Sequence, residues 1–246
     1  MIPKIIHFCW LSDDEYPDLI KKCIASWKEK LPEFEIKHWD KKCLDELNSD
    51  WVYEAFSAKK YAFAADYIRL YAIYNYGGFY LDSDVEVIKD FTDLLNYPYI
   101  FGYEASTNFD VIEAATFGAE KGNIYIKKCL EYYTNRHFIK ENNDYDMLPL
   151  PRVLQKCLAE DMISIDSLNS FNPDSKKIQI LPRDFFSPKS FEDGNIKVTP
   201  NTYSIHHFTA TWFNKKDKIK RSFYQNFINK NNIIKSIYNF FRHKKQ

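Results

Sequence analysis

Apolar and polar residues alternate along the first part of the chain in stretches that predict strands and helices in turn. Residues 4–10 form a short apolar run after Pro3, which indicates a buried strand, and apolar residues recur at helical spacing after Pro17. In residues 34–38 apolar positions alternate with charged ones, as in a half-exposed strand. This order predicts an α/β fold with a mostly parallel central sheet and helices on its faces.

The strongest helical pattern covers residues 58–76 and stops at Gly77 and Gly78, which favour a left-handed cap. One face of this helix carries small and charged residues, namely Ala62, Ala65, Asp66, Arg69 and Ala72. A short apolar strand follows at residues 79–81 and leads into the acidic triplet 82–84. We therefore expect the triplet at the carboxyl end of a strand, where ligands bind in open α/β sheets.

Later elements are predicted from shorter patterns. Asp40 is placed to cap a helix that ends near Leu47. Helices are also expected at residues 123–137 and 151–160, and strands at residues 97–103, 178–181, 196–199 and 204–207.

The net charge of zero is unevenly distributed. Residues 215–246 hold ten Lys or Arg and one acidic residue, whereas the rest of the chain holds 24 basic and 33 acidic residues. An acidic body lacks the basic face of a nucleic-acid binder, which argues against that class. We expect an α/β domain over residues 1–214 and a basic amphipathic helical extension over residues 215–246. That extension either rests on an anionic membrane or packs on the domain.

The cysteines and glycines limit the possible chemistry. The five cysteines are odd in number and none has CxxC spacing, so neither a zinc site nor a disulfide framework is expected. Only 6 glycines argue against a Gly-rich phosphate loop. Reduced thiols and the lack of a signal-peptide pattern predict a cytoplasmic protein, with peripheral contact at the inner face of the plasma membrane if the extension binds lipid.

The acidic triplet is the first candidate site. Alternate side chains of an extended chain lie on the same side, so Asp82 and Asp84 would face one site. Hard oxygen ligands of this kind suit Mg²⁺ or Mn²⁺ together with a diphosphate. Because D-x-D is common by chance, the alternative to a metal site is a turn with solvated carboxylates. The position directly after a predicted buried strand favours the metal site.

Asp66 and Arg69 form the second candidate pair, one turn apart on one helical face. The alternative is a surface ion pair, which is worth little. The alanines around the pair indicate a packed face, where charges are costly without further partners. Arg69 is thus a candidate for binding a diphosphate or sugar hydroxyls, and Asp66 for accepting hydroxyl protons from a sugar.

Two aromatic or imidazole segments complete the candidates. If residues 204–208 form a strand, His206 and His207 face opposite ways, and one of them could join the metal site; a structural histidine is the alternative. The segment from His7 to Trp10 ends the first strand, where Trp10 could stack on a nucleotide base or equally serve as a core residue.

Three blocks of the chain resemble a known family. They are IPKIIHFCWL at the start, AADYIRLYAIYNYGGFYLDSDVEV in the middle and NTYSIHHFTATW near the end. Together they are similar to the sugar-transferring family with a D-x-D motif, which includes bacterial capsule and lipopolysaccharide glycosyltransferases and yeast-type α-1,6-mannosyltransferases. More distantly, they resemble the glucosyltransferase domain of large clostridial toxins. The similarity spans about residues 2–213, and its central block is the most specific.

The resemblance implies a GT-A-type fold that binds a nucleotide-diphosphate sugar, a catalytic domain over residues 1–214 and a Mn²⁺ or Mg²⁺ ion. It implies transfer of a hexose-type sugar, with a UDP-sugar as the first choice of donor, and with retention of configuration. The acceptor would be a saccharide or lipid-linked saccharide in the biosynthesis of bacterial surface polysaccharide. A front-face reaction, in which the leaving phosphate takes the acceptor proton, is the hypothesis for the mechanism.

Residue roles also follow from the resemblance. Asp66, Arg69, Asp82 and Asp84 would be the catalytic set, with Asp82, Asp84 and His206 on the metal and His207 as the substitute. The nucleotide-diphosphate sugar would be held by Asp66, Arg69 and Asp82 of this set together with His7, Trp10, Tyr80, Ser83, Thr211 and Trp212. A loop with Glu104, Asp110 and Glu113 is placed on the acceptor side by chain order alone.

Three other functions are alternatives to the transfer of a sugar to a saccharide. A haloacid dehalogenase-type phosphatase also places D-x-D after an apolar strand, but it wants Thr or Val where this chain has Glu86. A non-catalytic saccharide-binding module would not need the metal pair, the Asp–Arg pair and the late histidine together. A toxin-like glycosyltransferase that modifies a protein is the further alternative.

Overall fold

A computed structural model of the chain describes residues 1–104, 111–190 and 194–209. Its main sheet has five strands in the order β2-β1-β3-β6-β5. These strands are β1 (Ile5–Cys9), β2 (Glu35–Trp39), β3 (Gly78–Leu81), β5 (Tyr99–Ile100) and β6 (Thr116–Ala119). β1 is parallel to β2 and β3, whereas β6 is antiparallel to both β3 and β5. Four of the five strands therefore run the same way, which confirms the predicted mostly parallel sheet.

Six α-helices lie in the described ranges. They are α1 (Asp18–Lys30), α2 (Leu44–Leu47), α3 (Asp50–Ser57), α4 (Tyr61–Tyr76), α5 (Ile124–Glu131) and α6 (Leu150–Leu158). The helix predicted at residues 58–76 starts later, because Lys59 adopts a positive φ of 57° and separates α3 from α4. The helix predicted to reach residue 137 ends at Glu131, and Asp40 caps a short 3₁₀ segment before α2.

Alternate side chains of β3 enter different halves of the core, as the two faces of a strand require. Tyr80 belongs to a cluster with α4 residues such as Ile73, whereas Phe79 and Leu81 belong to a second cluster that includes Trp27 of α1. The sheet is thus covered on both faces by helices. This arrangement fixes the direction in which the carboxyl end of β3 points.

Gly78 is the position where close packing of the two central strands requires glycine. Its φ is 102°, and a Cβ atom there would lie 2.5 Å from the carbonyl oxygen of Ile5 on β1. A side chain at this position would therefore push β3 away from β1.

Two small sheets accompany the main one. β4 (Val85–Val87) is antiparallel to β9 (Ser204–His206), and β7 (Met162–Ser164) is parallel to β8 (Ile178–Ile180). The β4–β9 pair sets Val85 opposite His206 and so brings the end of the described chain beside the acidic triplet. Residues 196–199, predicted as a strand, contribute only a single bridge between Ile196 and Lys189.

All five cysteines, which lie in the described ranges, are unpaired with one another in the structure. Within the described ranges, no helix combines the length and the apolar character that crossing a bilayer requires. The extension predicted at residues 215–246 lies outside the described residues, as do Thr211 and Trp212.

Candidate functional site

The acidic triplet forms a tight turn at the carboxyl end of β3. The amide of Val85 donates to the carbonyl of Asp82 at 2.9 Å, which closes the turn, and Ser83 occupies its second position. The indole of Trp27 donates to the carbonyl of Val85 at 2.7 Å and supports the turn from α1. The extended conformation assumed from the sequence was wrong, because the chain reverses here to enter β4. The turn nevertheless directs both carboxylates to one place.

Asp84 is a buried carboxylate held by the end of the described chain. Its Oδ2 accepts hydrogen bonds from both the amide and the hydroxyl of Thr209, each at 2.8 Å. Burial raises the pKa of Asp84, but the charge of His206 and the hydrogen bonds from Thr209 outweigh it and lower the pKa below its usual value. Asp84 is therefore an anion at neutral pH, with Oδ1 left for another partner.

The two histidines of the late segment face opposite ways, as predicted for a strand. His206 directs Nε2 to Oδ1 of Asp84 at 3.6 Å. His207 instead places Nε2 2.8 Å from Glu86, which also pairs with Lys22 at 3.0 Å. Only His206 of this pair therefore faces the acidic turn, and His207 belongs to a separate ion-pair group.

Arg69 is a buried cation that holds two carboxylates in place. Its Nη2 lies 3.1 Å from Asp66 and 3.3 Å from Asp82, and its Nη1 donates to the carbonyl of Ala114 at 2.8 Å. The guanidinium also lies over the ring of Tyr80, 4.6 Å from its centre. These contacts occupy Arg69 inside the protein, so its visible role is to orient the acids. A direct contact with a diphosphate stays a prediction.

Asp66 links α4 to the start of α6. Its Oδ2 accepts the amide of Leu150, the first residue of α6, at 3.1 Å, while Oδ1 pairs with Arg69. Burial raises the pKa of Asp66 to about 7, although the charge of Arg69 opposes the shift. The predicted Asp–Arg pair is therefore a buried structural unit, and the surface-pair alternative is excluded.

Asp82 is the most open acid of the group, with 27% of its side chain exposed. The hydroxyl of Tyr80 donates to its Oδ1 at 3.0 Å. Tyr80 itself is 1% exposed, so it supports Asp82 from below and has little surface for a ligand. Burial and the neighbouring charge of Asp84 raise the pKa of Asp82, and Arg69 opposes them.

One ligand atom each from Asp82, Asp84 and His206 can be chosen so that all three lie within 4.8 Å of one another. Two carboxylate oxygens and one imidazole nitrogen form a donor set that Mn²⁺ accepts and that Mg²⁺ accepts through its oxygens. The two carboxylates would supply negative charge to the ion, and water molecules and phosphate oxygens would complete its coordination. The residues therefore fit the divalent cation that the sequence predicts.

Residues 113–115 connect the parts of the site. Glu113 is fully buried, and its Oε1 lies 3.4 Å from Nδ1 of His206. The carbonyl of Ala114 accepts from Arg69, and the carbonyl of Ala115 accepts from the amide of Asp82 at 2.8 Å. Although burial of the imidazole lowers its pKa, the charges of Glu113 and Asp84 raise the pKa of His206 to about 10.

The loop predicted on the acceptor side is only partly described. Asp110 lies outside the described residues, and Glu113 faces the interior, so its assignment to an acceptor-facing position was wrong. Glu104 is half-buried, and burial together with the charge of Glu113 raises its pKa to about 7.

Trp10 lies at the carboxyl end of β1, one strand away from Asp82. Its indole is half-buried, packs edge-on against Tyr16 and donates to the carbonyl of Asp14 at 2.9 Å. These residues border an open cavity of about 430 Å³, together with Glu15 and Lys21. The cavity gives Trp10 the surface that a stacked base would need.

His7 does not belong to this surface. It is fully buried, its Nε2 lies 2.8 Å from the carbonyl of Gly77, and its Nδ1 accepts from the indole of Trp39 at 3.1 Å. Gly77 precedes β3 whereas Asp82 follows it, so His7 points to the opposite end of the strand. Burial lowers its pKa to about 4, and we withdraw it as a nucleotide contact.

This geometry can be compared with known proteins. Residues 17–100 match the family described as the glycosyltransferase sugar-binding region containing the DXD motif. This segment therefore resembles a DXD-type glycosyltransferase region. The matched residues include Asp66, Arg69, Asp82 and Asp84.

Two relatives from fungi share parts of the sequence. Inositol phosphoceramide mannosyltransferase 3 of Schizosaccharomyces pombe is 28% identical over 145 residues, which cover 56% of this chain and 40% of that protein. Glucan organizing enzyme 1 of Cryptococcus neoformans is 52% identical over 48 residues, which cover 20% of this chain and 13% of that protein. The chain thus spans less than half the length of the curated relatives that it matches.

A solved structure shares much of this fold. The PaToxG glycosyltransferase has a TM-score of 0.52 at 20% identity, with 65% of this chain and 68% of that chain covered. This likeness shows the fold alone, and it confirms the predicted α/β fold class.

Two residues that contact the proposed metal ligands were not predicted in these roles from the sequence. They are Thr209, which donates hydrogen bonds to Asp84, and Glu113, whose carboxylate lies beside His206. Neither follows a pattern of spacing. Thr209 lies three residues after His206, beyond the end of β9, and Glu113 lies on the strand-like approach to β6. Both depend on how distant segments fold together.

Proposed function

We propose that this chain is a metal-dependent, retaining glycosyltransferase that moves a hexose-type sugar from a nucleotide-diphosphate donor to a saccharide or lipid-linked saccharide acceptor. The observation that carries the proposal is the convergence of Asp82, Asp84 and His206 beside the buried Asp66–Arg69 pair, within a DXD-type region. A simple D-x-D in a solvated turn would not have a buried second acid, a histidine and an arginine arranged around it.

Some of the site residues would bind the donor, and others would keep the donor-binding residues in position. Asp82, Asp84 and His206 would hold Mn²⁺ or Mg²⁺, which when bound supplies positive charge to the diphosphate leaving group. Trp10 offers its ring to the base at the neighbouring strand end. Arg69 fixes Asp66 and Asp82, and Asp66 is the candidate acceptor for a hydroxyl proton of the donor sugar. Thr211 and Trp212 stay predictions for the diphosphate.

Transfer with retention requires that the new bond form on the face from which the diphosphate leaves. The bond between the anomeric carbon and the diphosphate oxygen breaks while the acceptor oxygen bonds to that carbon. The acceptor proton passes to the departing phosphate oxygen, so the protein need not supply a nucleophile. Catalysis would then come from positioning and charge stabilisation by a rigid, partly buried site.

The donor and acceptor are proposed from the resemblance and from a relative. A UDP-sugar is the first choice of donor, and GDP-mannose enters because a partly matching relative bears the name mannosyltransferase. That name also speaks of inositol phosphoceramide, which supports a lipid-linked acceptor here. We place the reaction in bacterial surface polysaccharide assembly, at the inner face of the plasma membrane.

The test is a donor panel with the purified protein and Mn²⁺. UDP-glucose, UDP-galactose, a UDP-N-acetylhexosamine and GDP-mannose are each incubated with the protein, and release of the nucleoside diphosphate is followed. The proposal expects slow hydrolysis of one donor that stops when EDTA is added. Turnover of a phosphate ester with no turnover of any donor would support the phosphatase alternative instead.

A further inference from the structure

Glu113 is an acidic residue that lies in the interior of the protein. Its side chain is fully buried, and a carboxylate taken out of water is costly unless hydrogen bonds and an opposite charge compensate for it. One hydrogen bond comes from the amide of Ala115, which donates to Oε1 at 2.7 Å. The opposite charge faces it from β9, where Nδ1 of His206 lies 3.4 Å from the same oxygen.

The contact between Glu113 and His206 involves Nδ1 of the imidazole, which is not the nitrogen that faces Asp84. Among the described residues, Nδ1 of His206 is buried without a hydrogen bond, and the polar atom beside it is Oε1 of Glu113 at 3.4 Å. The opposite ring nitrogen, Nε2, is the one directed to Asp84. A histidine that binds a metal ion is neutral and has one N–H and one lone pair, so an N–H that points to Glu113 leaves the lone pair on Nε2 for the ion.

We propose that Glu113 is a positioning residue of the metal site: its carboxylate receives the Nδ1 proton of His206 in a hydrogen bond and so keeps Nε2 free as a metal ligand. This inference rests on the proposed function. Metal-bound histidines commonly donate their second N–H to a carboxylate, which fixes the tautomer and strengthens the ligand.

The backbone around Glu113 is suited to such a role. The amide of Glu113 donates to the carbonyl of Gly102 at 2.8 Å, and the next two carbonyls accept from Arg69 and from the amide of Asp82. Residues 113–115 are therefore tied to three parts of the site at once. A carboxylate on this rigid segment can hold the imidazole at a fixed angle to the acidic turn.

A second carboxylate–histidine pair provides the control. Glu86 of β4 lies 2.8 Å from Nε2 of His207, the residue that directly follows His206 and β9. His207 faces away from Asp82 and Asp84 side chains, so Glu86 supports the β4–β9 pairing without contact to the metal ligands. Glu113→Gln and Glu86→Gln each remove one negative charge from one histidine partner.

The experiment is a Mn²⁺ titration of the full chain by electron paramagnetic resonance, which counts free Mn²⁺ and needs no sugar transfer. Glu113→Gln is expected to weaken Mn²⁺ binding about 10- to 100-fold, the range seen when such partners are removed. Glu86→Gln is expected to bind Mn²⁺ within about threefold of the wild type, since its histidine is outside the ligand set. Equal binding by the wild type and Glu113→Gln would overturn the inference.

A measurement on the wild type keeps the inference testable even if Glu113→Gln does not fold. Nitrogen-15 NMR of the histidine rings in the protein loaded with Zn²⁺, a diamagnetic ion that accepts imidazole nitrogen, is expected to show His206 with its proton on Nδ1. A proton on Nε2 would overturn the inference. Absence of any Mn²⁺ or Mg²⁺ binding by the wild type would instead remove the proposed metal site itself, which distinguishes the two failures.

Discussion

Both hydrogen-bond donors of Thr209 point to the same oxygen of Asp84. The amide and the hydroxyl each lie 2.8 Å from Oδ2, while Oδ1 faces His206. The carboxylate cannot rotate without breaking at least one of these charge-assisted bonds, which are stronger than bonds between neutral groups. Thr209 therefore decides which oxygen of Asp84 is presented to the proposed cation.

Removing the hydroxyl of Thr209 tests this relationship. Thr209→Val keeps the shape and the amide but loses one hydrogen bond to a charged group, a loss of about 1.5–3 kcal/mol in the free energy of unfolding. We expect Mn²⁺ binding to weaken several-fold, because Asp84 gains freedom to rotate. Thr209→Ser keeps the hydroxyl and should behave like the wild type in both urea unfolding and Mn²⁺ titration. If Thr209→Val retains wild-type affinity, Thr209 does not orient Asp84.

The two adjacent histidines should differ in function. His206→Ala removes the imidazole that faces Asp84, so we expect loss of Mn²⁺ binding and of donor hydrolysis. His207→Ala removes a partner of Glu86 and is expected to lower stability while Mn²⁺ affinity persists. Mn²⁺ titration and thermal unfolding of both variants measure the difference. The opposite pattern, with metal binding lost only in His207→Ala, would show that the strand register is different in solution.

Asp66 should make stability depend on pH. Its pKa is raised in the folded protein from 3.8 to about 7, mainly by burial, so the fold favours the protonated form. The stability from this residue is present at low pH and is lost as pH rises from about 4 to about 7. The variant Asp66→Asn cannot ionise at this position, so its stability should not fall with pH for this reason.

Urea unfolding of the wild type and Asp66→Asn across pH 5 to 8 measures that difference. Relative to the variant, the wild type should lose on the order of a few kcal/mol over this range, at about 1.4 kcal/mol per unit of pKa shift. Other titrating groups cancel because both proteins share them. A constant difference between the two proteins would mean that Asp66 is ionised throughout, with Arg69 outweighing burial.

Trp10 should contribute to nucleotide binding without contributing to metal binding. Stacking of a base on an aromatic ring is worth about 1–3 kcal/mol by alanine substitution. Trp10→Ala is therefore expected to weaken binding of a nucleoside diphosphate about 5- to 150-fold, with Mn²⁺ affinity unchanged. Tyr53→Ala, on an exposed aromatic residue of α3, is the control by isothermal titration. Unchanged nucleotide affinity in Trp10→Ala would assign the indole to packing against Tyr16.

The sequence predicted the parts of this fold that depend on local pattern. The two glycines and the apolar run that precede Asp82 predict a helix end followed by a buried strand that leads into the acidic triplet. The structure has the end of α4 and then β3 at these positions. The alternation of His206 and His207 likewise predicts their opposite directions. The break between α3 and α4 at Lys59 was missed, since no glycine or proline marks it.

The parts that were not predicted depend on distant contacts. His7 was assigned to the nucleotide because it shares a segment with Trp10, yet its ring is buried between Gly77 and Trp39, which only the sheet brings near. Glu113 reaches His206 across 93 positions of the chain, and no spacing rule connects them. Such carboxylates are recognised from their burial and partner, and those are properties of the folded chain.

The central claim is that Asp82, Asp84 and His206 form a cation site that binds a nucleoside diphosphate. Its most direct test is calorimetric titration of UDP, and of GDP in parallel, into wild type and Asp84→Asn with Mn²⁺ or with EDTA. We expect one nucleotide to bind to the wild type in Mn²⁺, with affinity at least about 100-fold lower in EDTA or in the variant, at about 1.4 kcal/mol per factor of ten. Equal affinity in Mn²⁺ and EDTA, or in wild type and variant, would contradict it.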